Sequence, residues 1–433
     1  MDDLWVVLPH LGAGGAQKVG LLAAEHFAEK GLRVRVLSLR PEHPVKHRLP
    51  ENVTTFSIDL NPDGAVHPWL RDVWDRSLMA RGRRFSVAQL IRYRRLLIRL
   101  ITQILVLILQ LLPSGVNRHF QPGCKGFAGW LLAHCMLSAG GLRYARLRSL
   151  LVEQRPRRVL ALLSKTNILC CSAAWDLPIH LVVSERNDPR LQRMDRLWRW
   201  LRRVFYRRAD VVTANTEGVL EALQEMGSWR RLELLPNPLP ALVSTHSSPA
   251  STDRRQQILS VARLVPQKGL DLLLRAFASL PETVRFGWTV VLVGDGPERE
   301  QLGSLVESLS IADSVRFEGF QPNPLQYMQS AAIFALPSRF EGMPNALLEA
   351  MASGLPAVVT DASPGPLEMV SDGRNGLVVP TEDPAAFAAA LNTLMATPAH
   401  RLQLGEAARQ TLRSMEWPVV EPLWRSVLAL EQL

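Results

Sequence analysis

Short, unbroken apolar runs alternating with helix-length stretches constrain this chain more than any other feature. From Ile258 onward, ILSVA, WTVVLVG, VRFEG, AIFALP and PAVVT each lead into a turn and then a helical stretch. Runs apolar on successive residues suit strands covered on both faces, which means parallel sheet with crossover helices. The first forty residues share this pattern: LWVVL, the turn GAGGAQ, helical spacing from Val19 to Phe27, a stop at Gly31, then VRVLSL. VLALL, IHLVVS and VVTA continue it.

A chain of 433 residues is too long for one ordinary core. NPLPALVSTHSSPASTDRR, around residues 236–256, reads as a linker. The expected division is a first domain over 1–240, a second over 255–412, and a closing helix over 413–433 that packs back on the first. An insertion of about residues 60–155, rich in Arg, Leu and Trp, interrupts the first domain's alternation.

That insertion explains the basicity. The formal charge is +10, and Arg76 to Val152 alone holds thirteen Lys or Arg and no Asp or Glu. Arg92, Arg95 and Arg99 share a helical face, and Leu100 to Leu112 is apolar apart from Thr102, Gln103 and Gln110. As helix the apolar stretch is about 20 Å long, short of a roughly 30 Å hydrocarbon core. Segment 91–113 is therefore read as lying in an anionic membrane surface, with a buried helix or a span as alternatives. The arginines alternate with leucines rather than stacking aromatics, which disfavours nucleic acid.

The four cysteines, Cys124, Cys135, Cys170 and Cys171, form no CxxC spacing. MDDLWVVLPH carries acids and runs straight into a strand, unlike a signal peptide. The expectation is a reducing, cytoplasmic compartment, with the chain peripheral at the cytosolic face of the inner membrane.

Ligands of parallel sheets bind at the carboxyl ends of strands. After ILSVA come Arg263 and Lys268; after VVLVG, Asp295-Gly296-Pro297; after VRFEG, Gly319 and Phe320. After AIFALP comes PSRFEGMPNALLEAMASG, with Glu341 and Gly342 in the turn, Asn345 placed to cap a helix, and Glu349 about one turn inside it. Two cations suit a diphosphate, an open helix N-terminus suits phosphate oxygens, and carboxylates suit sugar hydroxyls. Singly, Arg263 or Lys268 is an ordinary solvated charge, Gly294 and Gly296 are turn residues, and Glu349 is a dipole-complementing acid. The ordered set at successive strand ends is what chance does not supply.

Together VARLVPQKGLDLLLRAF, LVGDGPERE, VRFEGF, SRFEGMPNALLEAMASGLPAVV and NGLVVP resemble the donor half of retaining GT-B glycosyltransferases of family four, over roughly 257–380. The resemblance implies an α/β fold of two Rossmann-like domains facing across a cleft, with the Arg/Leu-rich insertion in the first. It implies that Arg263 and Lys268 hold the donor diphosphate and that Glu341 sits by the donor sugar. Glu349 would bind the ribose, Gly342, Met343, Pro344, Asn345 and Ala346 would face phosphate and sugar, and Gly319 and Phe320 would border the base. No metal is implied, and the co-substrate is a nucleoside diphosphate sugar.

In the first half, Gly12, Gly14 and Gly15 do not match GxGxxG, and the second strand ends in Leu39-Arg40 rather than an acid. A dinucleotide fold is disfavoured, and the resemblance puts Gly14 and Gly15 beside the donor. Many relatives carry a histidine where this chain has Glu185 and Arg186; SERNDP resembles a variant of envelope and polysaccharide transferases, making Glu185, Arg186 and Asn187 acceptor-side candidates. A helix start capped by Asp188 is the structural alternative. His180 reads as core, and Asn215, Thr216 and Asn237 as weaker cleft-edge candidates.

The expected activity is transfer of a hexose or N-acetylhexosamine, most simply from a UDP-sugar, to a lipid-linked or polysaccharide acceptor with retention. Rival readings are an epimerase or hydrolase on the same scaffold, or a non-catalytic membrane-surface binder.

Overall fold

In a computed structural model, the residues described are 2–59, 100, 127–192, 194–240, 254–362 and 364–431. Apart from Leu100, segment 91–113 lies outside them. The chain divides into two units: Met1–Ala214, Leu223–Glu233 and Ser426–Leu433 form unit 1, and Asn215–Ala222 and Leu234–Arg425 form unit 2.

Unit 1 contains strands β1 (Leu4–Leu8), β2 (Val34–Ser38), β3 (Thr54–Ser57), β4 (Arg158–Leu162), β5 (His180–Glu185), β6 (Val211–Ala214) and β7 (Leu232–Leu234). They form one sheet in the order β3-β2-β1-β4-β5-β6-β7. The pairings of β1 with β2 and β4, β2 with β3, and β5 with β4 and β6 are parallel. Every residue of β1 is buried, as an apolar run between two layers requires. Around the sheet lie α1 (Gly15–Glu29), α2 (Phe127–Gln154, broken at Gly141), α3 (Ser164–Ala173) and α4 (Arg196–Phe205).

Unit 2 contains β8 (Arg255–Val261), β9 (Thr289–Val293), β10 (Val315–Gly319), β11 (Ala331–Leu336), β12 (Ala357–Thr360) and β13 (Leu377–Val379). The order is β10-β9-β8-β11-β12-β13, and all five pairings are parallel. One layer of its core packs Leu273, Phe277 and Leu274 against Ile258, Ile333 and Phe387; the other packs Leu347 and Met351 against Phe334 and Val359. Helices α5 (Glu217–Met226), α6 (Leu270–Ser279), α7 (Asn345–Ala352) and α8 (Trp417–Val427) matter below.

The strands β3, β7 and β13 were not among the strand-like runs of the sequence. All three are sheet edges, three or four residues long and mostly half-buried, so no continuous apolar run marks them. The stretch read as a linker is anchored at both ends: Asn237 and Leu239 are buried, and Arg254 donates to the Met328, Ala331 and Ser353 carbonyls. Its interior, 241–253, lies outside the described residues.

The closing segment changes units at Ser426 rather than at 413. Before that point, Trp424 is buried and its indole N–H donates to the Pro236 carbonyl at 3.3 Å, while Leu239 N–H donates to the Met415 carbonyl at 3.0 Å. After it, unit 1 holds the chain through His180 Nε2 to the Val427 carbonyl at 2.9 Å and Arg158 Nη2 to the Ala429 carbonyl at 2.6 Å. His180 is therefore half-buried and structural.

In each sheet the strand order reverses once, at β1/β4 and at β8/β11. Crossovers leave such a point in opposite directions and open a crevice at the carboxyl ends. In unit 2 these ends are tied together. Ala262 N–H donates to the Val293 carbonyl at 3.0 Å, Leu264 N–H to Asp295 at 3.1 Å, and Gly294 N–H to Gly319 at 2.8 Å. The close approach requires Gly294: at φ 145° a Cβ there would stand 1.8 Å from the Ala262 carbonyl oxygen. Gly294→Ala is accordingly expected to destabilise unit 2 by more than about 1 kcal/mol, read as a lower urea midpoint.

Candidate functional site

The loops leaving β8 and β11 flank the unit 2 switch point, and they carry Lys268 and Glu341. Lys268 ends the turn Pro266–Lys268, and Gly269, at φ 60°, turns the chain into α6. The Lys268 ammonium forms an ion pair with Glu341 Oε1, and the Ser338 hydroxyl donates to the same oxygen at 2.7 Å. Both partners are largely shielded, with side-chain exposures of 15% and 6%, so the pair is not a solvated surface bridge. Arg263 is exposed, and its side chain makes no hydrogen bond or ion pair with another described residue.

Arg339, which the sequence pattern did not single out, locks these two loops. Its guanidinium makes a bidentate pair with Asp271 at 3.0 and 2.9 Å, reaches Glu382 at 2.5 Å, and donates to the Pro266 carbonyl at 2.5 Å. Its backbone N–H donates to the Gln267 carbonyl at 2.8 Å, and Gln267 Nε2 donates to the Phe340 carbonyl at 2.9 Å. Hydrogen bonding to Asp271 first, and then to Glu382, raises the Arg339 pKa against the opposing effect of burial. A single arginine among fifty Lys and Arg gave no spacing signal for this role.

Beyond Glu341 the chain runs through Gly342, Met343 and Pro344, all buried, to half-buried Asn345 and Ala346 at the start of α7. Asn345 is not the cap. The cap position falls on Pro344, no side chain closes the helix end, and Asn345 is the first helical residue. Its side-chain oxygen instead accepts from Asn237 Nδ2, and the Asn237 backbone N–H meets Met343 Sδ at 3.4 Å. Proline cannot cap with its side chain, so Pro344 supplies no oxygen to the first N–H groups of α7. Glu349, five residues into α7, is 5% exposed. Gly319 takes φ 68°, with open space where a Cβ would stand, and Phe320 beside it is half-buried. Asn215 and Thr216 are buried; Thr216 Oγ1 accepts from Val219 N–H at the start of α5.

In unit 1, the loop leaving β1 at the other switch point carries Gly14 at the cap of α1 and Gly15 as its first residue, again with no side-chain cap. His47, from the loop after β2, places Nε2 at 3.2 Å from Gly14 N and 3.1 Å from Gly14 O. His10 Nδ1 accepts from Gly12 N–H at 3.1 Å and stacks on His43 with ring centroids 4.5 Å apart. The His47–Gly14 contact and the His10–His43 stack were also missed, because each joins two separate segments. Burial first, and then Lys18, hold the His47 pKa below its ordinary 6.5.

Glu185 ends β5 fully buried. Tyr206 Oη donates to its Oε1, Ser164 Oγ to its Oε2 at 2.7 Å and Gln192 Nε2 to the same oxygen at 3.3 Å, with Arg202 at 3.8 Å. Expected among acceptor contacts, Glu185 instead holds the following loop from within. Arg186 is also buried, donates to Ser184 Oγ at 3.2 Å, and is lowered by desolvation to about 9. Asn187 is half-buried. Asp188 takes Arg190 N–H at 2.8 Å in a turn, and the helix start that follows is capped by Asp195 rather than Asp188.

Among the described residues, no group of three or more His, Cys, Asp or Glu is placed to hold a metal ion. Cys135, Cys170 and Cys171 are buried free thiols. No helix among the described residues is long and apolar enough to cross a membrane.

Comparison with known proteins bears on both units. The family model described as glycosyl transferases group 1 matches residues 245–411, and the glycosyl transferase 4-like domain matches 14–238. The lipopolysaccharide core biosynthesis glycosyltransferase LpsE of Rhizobium meliloti is 31% identical over 48% of this chain and 60% of its own length. A Campylobacter jejuni alpha-1,4-N-acetyl-D-galactosaminyltransferase, named for a diNAcBac-PP-undecaprenol-linked saccharide, is 26% identical over 66% of this chain and 78% of its own. The solved structure of Anabaena Alr3699/HepE in complex with UDP superposes with a TM-score of 0.65 at 16% identity, covering 99% of this chain and all of that one. That likeness gives the fold: two parallel Rossmann-like sheets, the GT-B fold.

Two outcomes follow from the geometry. Arg339→Ala leaves Asp271 and Glu382 without their shared cation, and is expected to cost about 1–3 kcal/mol in urea unfolding and to speed amide exchange at Arg339. Because the folded-state pKa of His47 is depressed, its contribution to stability is present above 6.5 and is lost as pH falls through the lower folded value. His47→Gln should therefore lose less stability than the native chain between about pH 7.5 and about pH 5.5.

Proposed function

The chain belongs to the group 1 glycosyl transferases, and from that premise we propose that it moves a hexose or N-acetylhexosamine from a UDP-sugar to a lipid-linked or polysaccharide acceptor, with retention of configuration. The observation that carries this reading is the shielded Lys268–Glu341 pair at the β8/β11 switch point, beside a helix end that no side chain caps.

Breaking the bond between the sugar and the diphosphate builds negative charge on the leaving oxygens, and stabilising that charge is the main demand. Lys268 brings a point charge held in place by Glu341, and Arg263 brings a planar fork with no competing partner among the described residues. The first N–H groups of α7 add partial positive charge for the same oxygens. Displaced from Lys268 by the arriving diphosphate, the Glu341 carboxylate is left to accept hydrogen bonds from the donor sugar. Glu349 takes the ribose hydroxyls, and Gly342, Met343, Pro344, Asn345 and Ala346 offer backbone to phosphate and sugar. Gly319 and Phe320 border the base. The charge comes from side chains and helix ends, so the reading needs no divalent ion.

On the acceptor side, Arg186 and Asn187 stand as the loop's contact groups, with Glu185 positioning them. Support for a lipid-linked acceptor comes from the Campylobacter relative's undecaprenol-linked substrate and the Rhizobium relative's place in lipopolysaccharide synthesis. The cytosolic face of the membrane is the corresponding place of work, with anionic lipid beneath.

A thermal-shift screen of UDP-sugars should find one that stabilises the chain by mass action. Lys268→Ala is expected to cut kcat roughly hundredfold, as loss of one charge-stabilising donor does elsewhere. Glu349→Ala is expected to weaken UDP binding about tenfold by calorimetry, the loss of a charged hydrogen-bond partner. Native kinetics and binding in both variants contradict the assignment.

A further inference from the structure

The helix α4 and the turn Tyr206–Arg208 that extends it read RLWRWLRRVFYRR and carry six arginines. Their surroundings sort them into two sets. Arg202 and Arg208 are buried and committed. Arg202 donates to Gln192 Oε1 at 3.1 Å and lies near Glu185; Arg208 donates to the Ala174, Leu177 and Ile179 carbonyls and pairs with Asp210 at 3.1 Å.

The other four, Arg196, Arg199, Arg203 and Arg207, are all exposed. None of their side chains makes a hydrogen bond or ion pair with another described residue. Spacings of three, four and four residues put them on one face, in a row roughly 16 Å long. The opposite face, with Leu197, Trp200, Leu201 and Phe205, is buried in unit 1. Like charges at this spacing repel, so folding gives no reason for the row. The carboxylate next to it in sequence, Asp195, accepts from Trp198 N–H at 3.0 Å as the helix cap.

We propose that this arginine row is a docking surface for an anionic lipid bilayer, which it meets through headgroup phosphates. The proposal rests on the reading that the acceptor is lipid-linked, and it is argued from residues outside segment 91–113. Because the apolar face of α4 is already spent on the core, the contact is electrostatic and stays at headgroup level rather than inserting. Single-stranded nucleic acid fits less well: Trp198, Trp200 and Tyr206, the aromatics that bases need for stacking, are buried. A protein interface needs apolar or aromatic anchors among its charges, and the row has none.

The test compares the full chain with the combined Arg196→Gln, Arg199→Gln, Arg203→Gln and Arg207→Gln variant. Both are co-sedimented with vesicles of phosphatidylcholine alone and with about 30% phosphatidylglycerol added. A basic residue near such a surface is worth about fivefold in partitioning, so the variant should bind the anionic vesicles at least about tenfold less well. Binding of the native chain should weaken as salt rises and be slight on neutral vesicles. A matching four-lysine variant keeps the charge and should keep the binding, which separates lost charge from a damaged fold. Equal partitioning of the native and glutamine chains overturns the proposal, as does a native chain without preference for anionic lipid. So does native binding that moves to single-stranded RNA when both are offered. UDP binding by calorimetry, run without lipid, reports separately on the glycosyl transfer reading: its loss in all chains refutes that reading and leaves the vesicle result standing.

Discussion

Three backbone hydrogen bonds, from Ala262 to Val293, Leu264 to Asp295 and Gly294 to Gly319, join the carboxyl ends of β8, β9 and β10. Loops that leave a parallel sheet are otherwise independent of one another, and a site assembled from several of them inherits all their freedom. Here the loop bearing Arg263 and Lys268 is tied on one side to its sheet neighbours. On the other side Arg339, Gln267 and the Lys268–Glu341 pair tie it to the loop after β11. The switch point opens the crevice, and these bonds give its two walls a fixed spacing. Preorganised charge stabilises a developing anion without a reorganisation cost at the moment of reaction, which loose lysines on loose loops do not achieve.

Charge within this site is arranged in two grades. Arg339 sits between Asp271 and Glu382, with both carboxylates and a carbonyl as partners, and is spent on architecture. Lys268 has one carboxylate partner that a diphosphate can replace, and Arg263 has none among the described residues. On the proposed reading, an arriving dianion would meet a gradient from free cation to exchangeable ion pair, with the fully committed cation behind. In unit 1, at the end of β5, the Glu185 carboxylate is likewise spent on architecture, saturated by Tyr206, Ser164 and Gln192.

Much of this was legible in the sequence because parallel strands buried on both faces must be apolar on successive residues, and ten such runs became strands of the two sheets. The switch-point loops were legible because sequence order places Arg263, Lys268 and Glu341 past strand ends and Glu349 in the helix that follows. What failed was local capping chemistry: Asn345 and Asp188 each carry a capping side chain, yet Pro344 and Asp195 occupy the cap positions. For Asn345 one residue of shift in where the helix begins reverses the assignment, and for Asp188 the helix begins several residues further on. Long-range partners failed for a different reason. His47 reaches Gly14 across thirty-three residues and Arg339 reaches Asp271 across sixty-eight, and no periodicity connects them.

Net charge illustrates the same boundary between composition and structure. The sequence locates its excess in the segment after Arg76, and by that measure the arginines of α4 are a minor addition. Once the chain folds, position on the helix decides what each one does. Arg202 lies inward, Arg203 outward, and one step along the chain separates a cation that holds Glu185 in the core from one left to solvent. Arg202 ties α4 to the β5–α4 corner, and Arg208 ties the turn after α4 to the loop before β5, so the face that carries the exposed four is set by what the other face holds. A basic surface of this kind is thus a product of interior packing, and charge counted along a sequence does not reveal it.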